Sequence, residues 1–276
     1  MTGENGVQRI AALFERLQAE GRAALMPYLT LGYPTPERSL DLVEAAIAGG
    51  ADMLELGIPF SDPLADGPII QKASFVALQQ GMTVARCLEM AHELRRRGVE
   101  APFVFMGYYN PILTYGEVAF CRECREVGID GLIVPDLPPE EGEALESTCR
   151  QHGLALIYLL APTSTPGRIR LLAERSQGFI YLVSVTGVTG ERDGLPPDLE
   201  EFVQRVREAT DKPLAVGFGI GQPEQAAQVA RLADGVIVGS AFIRAAGEPE
   251  AEEKVRAFAS ALSQAMRKDC AEEILI

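Results

Sequence analysis

Lysine and histidine are scarce in this 276-residue sequence, and positive charge is outnumbered. Against 39 Asp and Glu stand 25 Lys and Arg, a net charge of −14 and a pI near 4.7. That balance argues against nucleic acid or an anionic membrane as a bulk partner, though not against a small phosphorylated ligand held by backbone N–H groups. The lysines are Lys72, Lys212, Lys254 and Lys268, and none ends an apolar run. A Schiff-base aldolase, which needs a lysine at a strand end in a dry pocket, is thereby disfavoured. His92 sits in a helical stretch and His152 ahead of a strand, so a histidine-rich zinc site is disfavoured too. There is no Walker lysine motif, no evident serine triad and no GxGxxG after the first strand. No apolar run approaches the roughly 18 residues that span a bilayer. The first residues carry charges every few positions, Glu15 and Arg16 among them, so no signal peptide is visible and a cytoplasmic protein is expected.

Five cysteines are present, two of them as the CxxC of Cys121 and Cys124. The surrounding "EVAFCRECREVG" reads as an amphipathic helix in which positions i and i+3 share a face. Without a second CxxC or a histidine at ligand spacing, these read as reduced, structural thiols.

What is abundant is alternation. Short apolar runs fall at 24–31, 51–58, 102–107, 131–136, 154–160, 179–185, 213–219 and 234–240. Between them lie stretches with apolar residues at helical spacing, for example "ERSLDLVEAAIAGG". Runs that are apolar throughout indicate strands buried on both faces, as in parallel sheets. Eight strands alternating with helices predict an α/β fold, a single (β/α)8 TIM barrel over residues 1–276, with an extra N-terminal helix at about 7–20. A doubly wound open sheet fits the count less well. The connection 58–82 is the long one, which marks it as an active-site loop.

That connection follows Glu55, the one charge inside "MLELGI". If Leu54 and Leu56 face the helices, Glu55 points into the barrel, where a carboxylate is costly unless paired or functional. Neighbouring strand ends offer no Lys or Arg to pair with it. In the loop, Asp62 before Pro63 fits a turn role, whereas position alone leaves Asp66 open between a turn and chemistry. Gly190, Gly219, Gly239 and Ser240 close the sixth, seventh and eighth runs, where barrels often bind phosphate. Taken together, these point to metal-free acid–base chemistry on a phosphorylated substrate.

The same residues carry a resemblance. "LELGIPFSDPLADGP", "GYYNPILTYG", "VPDLP", "LLAPTSTPGR", "YLVSVTGVTG", "VGFGI" and "IVGSAF" resemble, in order, the blocks of the tryptophan synthase α-subunit family. The resemblance implies a lyase that cleaves indole-3-glycerol phosphate to indole and glyceraldehyde 3-phosphate. No cofactor is implied for this chain. A β-subunit partner, in an α2β2 heterotetramer, would carry pyridoxal phosphate and convert indole to tryptophan. By position, Glu55 and Asp66 match the catalytic carboxylates, and Tyr181 a tyrosine beside the reacting moiety. Tyr28, Met106 and Phe218 match the walls around the indole, and Gly190, Gly219, Gly239 and Ser240 the phosphate cradle. Thr189 matches a loop residue that closes over the substrate. The implied lids are 59–68 and 186–196. Gly221 stands where a serine is common.

Two other enzyme readings share features: a stand-alone lyase that releases free indole, and a phosphate-binding isomerase of histidine biosynthesis. The latter would show half-barrel repeats and a paired Asp on strands 1 and 5, and neither is visible. A scaffold that activates a β subunit without catalysis is the non-enzyme alternative, against which Glu55 and Asp66 count.

Overall fold

The computed structural model describes residues 4–183, 195–217 and 219–267. Its strands are β1 (Ala24–Thr30), β2 (Leu54–Gly57), β3 (Phe103–Met106), β4 (Gly131–Ile133), β5 (Ala155–Ile157), β6 (Leu159–Leu160), β7 (Ile180–Val183), β8 (Leu214–Gly217) and β9 (Gly235–Val238). They form one sheet in the order β5-β4-β3-β2-β1-β9-β8-β7-β6, every pairing parallel. The two ends of that order, β5 and β6, are the halves of the single apolar run 154–160. The sheet therefore comes round on itself as the expected barrel.

The fifth run splits at Tyr158 because its backbone leaves one neighbour for the other. Its N–H donates to Ser176 Oγ at 3.1 Å rather than to the ladder. Its carbonyl accepts from Tyr181 N of β7 at 3.1 Å. Upstream the chain pairs with β4 and downstream with β7.

Strand parity sorts the core into two layers. Leu54, Leu56, Phe103, Phe105, Leu132 and Leu156 pack outward among the helices. Met26, Met53, Val104, Ile133, Ile157 and Ile237 pack inward. The inner layer is sealed from below by helix Gly6–Ala19, whose Ile10, Leu13, Phe14 and Leu17 join it. The phenyl rings of Phe14 and Phe179 lie 5.8 Å apart. An Asn5–Gln8 capping box begins that helix, so its start is set locally and its place by the apolar stripe.

The same lower face holds a device used three times. Asp52, Asp130 and Asp234 each precede a strand, donate a backbone N–H to an outward-facing residue next door and accept that residue's N–H on the carboxylate. The partners are Leu25, Phe103 and Leu214. Each carboxylate also binds arginine: Arg22, then Arg9 with Arg95, then Arg207. Asp130 is 2% exposed and holds Arg9 at 2.7 Å and Arg95 at 2.9 Å. Asp130→Ala would strand two guanidinium groups and the Phe103 N–H, so a loss of about 3–5 kcal/mol is expected in denaturant unfolding.

Cys121 and Cys124 lie on helix Glu117–Val127, both fully buried, with Cys121 Sγ 3.9 Å from Cys149 Sγ. Burial raises the thiol pKa of Cys124, which leaves it inert as a nucleophile. Among the described residues no group of three or more His, Cys, Asp or Glu is placed to hold a metal ion, and no helix is long and apolar enough to cross a membrane.

Candidate active site

Glu55 sits where strand parity requires, inside the barrel near the C-terminal end of β2. The ladder register sets it between Tyr28 of β1 and Val104 of β3. It is 1% exposed, and among the described residues neither carboxylate oxygen has a hydrogen-bond partner. Burial, reinforced by the nearby charge of Asp66, pushes its pKa up from 4.5 to about 8. A carboxyl group kept this way is protonated near neutral pH and ready to act as an acid.

The long connection is shorter than the sequence suggests. Residues 58–67 form the loop, and helix Pro68–Gln79 follows with Gly67 as its N-cap. Pro68 therefore starts a helix instead of stiffening a lid: proline suits the first helical position, where its missing N–H is not needed. Within the loop, Asp62 is exposed and its carboxylate accepts the Ser61 hydroxyl. Asp66 is turned inward, 5% exposed. Its burial raises its pKa from 3.8 to about 6, while a hydrogen bond from Tyr108 works in the opposite direction.

Two inward-facing tyrosines complete the chamber. Tyr28 and Tyr181 are 5% and 3% exposed, and their hydroxyls fill notches left by glycine. A Cβ on Gly57 would lie 2.1 Å from the Tyr28 hydroxyl oxygen, and one on Gly217 2.3 Å from that of Tyr181. Thr30 Oγ1 donates to the Tyr28 oxygen at 3.3 Å. Burial first, then the two carboxylates, raise both phenol pKa values well above 10, so both stay protonated. Met106 of β3 is buried in the same inner cluster, beside Val104, Ile70 and Ile133.

The expected anion-binding end is described in part. Gly219 follows β8 with φ +78°, a conformation that favours glycine. Gly239 and Ser240 follow β9 and are half-buried, and Gly239 lies against Tyr28 and Ile70. The N–H of Gly221 donates to Gln225 Oε1 at 2.8 Å, the oxygen that also accepts the N–H of Gln222, the N-cap of helix Pro223–Leu232. Thr189, Gly190, Phe218 and most of the second lid, 186–196, lie outside the described residues.

Thus Glu55, Asp66, Tyr28, Tyr181 and Met106 are brought together on the inner side of the barrel. The two carboxyl groups differ in pKa, about 8 for Glu55 and about 6 for Asp66. Sequence reasoning passed over Tyr108, Gly57 and Gly217. Tyr108 was within reach, because it follows Gly107 just past a barrel strand, where functional residues cluster. The glycine notches show only when the tyrosine side chains are placed.

A family model described as "Tryptophan synthase alpha chain" matches residues 14–271. The tryptophan synthase alpha chain of Dehalococcoides mccartyi is 49% identical over 260 residues, covering 94% of this chain and all of that one. Its counterpart in Chloroflexus aggregans is 52% identical over 237 residues, covering 86% and 89%. A chain of Mycobacterium tuberculosis tryptophan synthase superposes with a TM-score of 0.88 at 40% identity, covering 94% of this chain and 98% of that chain. Tryptophan synthase subunit alpha from Legionella pneumophila does so with a TM-score of 0.86 at 39% identity, covering 94% and 98%. Near-complete coverage at this identity leaves one conclusion: the chain belongs to the tryptophan synthase alpha chain family.

Proposed function

We propose that this chain cleaves indole-3-glycerol phosphate in the chamber above the barrel, with Glu55 and Asp66 as its catalytic groups. The observation that carries the reading is the pair of buried carboxyl groups, one on a rigid strand and one on the loop that follows it. Glu55, protonated, delivers its proton to C3 of the indole ring. Positive charge then develops at the ring nitrogen, where ionised Asp66 accepts the N–H and stabilises it. Glu55, now a carboxylate, removes the proton of the glycerol hydroxyl next to C3. The oxygen becomes the aldehyde carbonyl, the carbon–carbon bond breaks, and its electrons return to the ring as indole regains aromaticity. The ring is its own electron sink, so neither a lysine nor a cofactor is required of this chain.

Tyr28 and Met106 line the indole side together with Phe218, and Tyr181 stands beside the reacting moiety. Gly219, Gly239 and Ser240, with Gly190, receive the phosphate, and Thr189 closes over it. The partner is a tryptophan synthase β subunit in an α2β2 assembly, which holds pyridoxal phosphate and takes indole to tryptophan in the cytoplasm. Exposed apolar side chains favour this over a stand-alone lyase. Leu64 is 88% exposed on the very loop that carries Asp66, and Phe75, Leu113 and Val118 are 55–62% exposed on the helices that follow. Indole release by the purified chain, with and without a β subunit, tests both points. Cleavage that rises at least tenfold with the β subunit is expected. A high rate unaffected by it favours the stand-alone lyase, and no cleavage in either case overturns the enzyme reading.

A further inference from the structure

We propose that Tyr108 is a positioning residue, whose hydroxyl holds the Asp66 carboxylate in the barrel mouth by tying the β2 loop to the loop after β3. The inference rests on the catalytic role given to Asp66 above. The Tyr108 hydroxyl donates to Asp66 Oδ2 at 3.1 Å and accepts the N–H of Ala65 at 2.9 Å. One phenol oxygen thus fixes both the backbone and the side chain of adjacent loop residues. The ring is held in turn by Phe60, from the base of the same loop, at 5.4 Å between centroids. Tyr108 itself is 5% exposed and follows directly on Gly107, whose N–H donates to Ile133 O of β4. The clamp is therefore anchored on the rigid sheet, whereas other bonds of the loop, Leu64 N–H to Asp62 O, Asp66 N–H to Pro63 O and the Gln71 amide to Asp66 O, hold the backbone and leave the carboxylate to Tyr108.

The hydroxyl has an electrostatic effect as well. Among the described residues, the groups facing Asp66 are Glu55 on β2, Tyr28 on β1, Tyr181 on β7 and Tyr108, none of them a cation. Asp62 on its own loop turns out to Ser61, and Asp136, after β4, accepts the N–H of Tyr109. A buried carboxylate without a cation depends on hydrogen bonds to remain charged. Among the described residues, the Tyr108 bond is the contribution that lowers the pKa of Asp66 against its burial.

Tyr108→Phe keeps the ring packing and removes only the hydroxyl. The titration of Asp66 is followed by carbon-13 NMR of aspartate-labelled protein, its signal assigned by its loss in Asp66→Asn, alongside turnover of indole-3-glycerol phosphate from pH 5.5 to 8.5. The midpoint of Asp66 is expected to rise by about one pH unit, from about 6 toward 7. The acid limb of kcat should move with it, so that turnover falls roughly five- to tenfold at pH 5.5 and less than twofold at pH 7.5, KM changing little. An unchanged Asp66 midpoint overturns the proposal, as does a moved midpoint with an unmoved acid limb. Were the wild type to show no cleavage at all, the enzyme reading would fall, and the titration would still decide whether Tyr108 governs Asp66.

Discussion

Glu55→Gln is expected to stop carbon–carbon cleavage, lowering turnover by roughly a thousandfold or more, while the barrel remains folded. Glutamine has the same shape and fits the same space between Tyr28 and Val104, but it can neither give up nor accept the proton that the reaction moves twice. The same substitution has a signature in stability. In the folded protein Glu55 has a pKa near 8, against 4.5 when unfolded. Below 4.5 both states hold the proton, and the group has no effect. Between 4.5 and 8 the unfolded chain releases it and the folded chain retains it, so stability falls as pH rises, by about 1.4 kcal/mol per pH unit and a few kcal/mol in all. Above 8 both states are ionised and the loss is constant. Denaturant unfolding at pH 5 and pH 8 should therefore show the stability difference moving in favour of Glu55→Gln as pH rises. Near wild-type indole release by this variant would remove Glu55 from the mechanism. A difference that does not change with pH would mean that Glu55 is ionised in the folded protein.

Asp66→Asn is expected to cost about 100- to 1,000-fold in kcat, with KM little altered. Its amide oxygen still accepts the Tyr108 hydroxyl, so the loop stays in place and only the charge is lost. Without that charge nothing balances the positive ring nitrogen formed when C3 is protonated. The residual activity carries a second sign: the negative charge of Asp66 helps to raise the pKa of Glu55. In Asp66→Asn the basic limb of the pH profile should therefore shift to lower pH. If the carboxylate merely shaped a turn, turnover would remain within a few-fold of wild type and the basic limb would not move.

Much of this site was legible before any coordinates, for a definite reason. A barrel strand exposes alternate side chains to the interior, so one Glu among "MLELGI" has a predictable direction once the strand is recognised. The loop offered no such periodicity. Asp62 and Asp66 are four residues apart among prolines, and local chemistry suits both to turns. What separates them is Tyr108, 42 positions further along, which reaches only Asp66. Helix Pro68–Gln79 was hidden by the same cluster of prolines, because Pro68 looks like loop punctuation until its place at a helix start is seen.

Hydrophobic periodicity and strand count, both properties of the linear chain, determined the α/β class, the barrel, the N-terminal helix and the inward direction of Glu55. The motifs were enough to identify the family. The closing of the sheet through Tyr158, the triple aspartate clasp beneath the barrel and the glycine notches for Tyr28 and Tyr181 were decided by tertiary structure alone. So were the raised pKa values of Glu55 and Asp66, since these depend on burial and, for Glu55, on a charge brought near it from the loop. Local pattern sets where a side chain points, but only packing sets what it meets there.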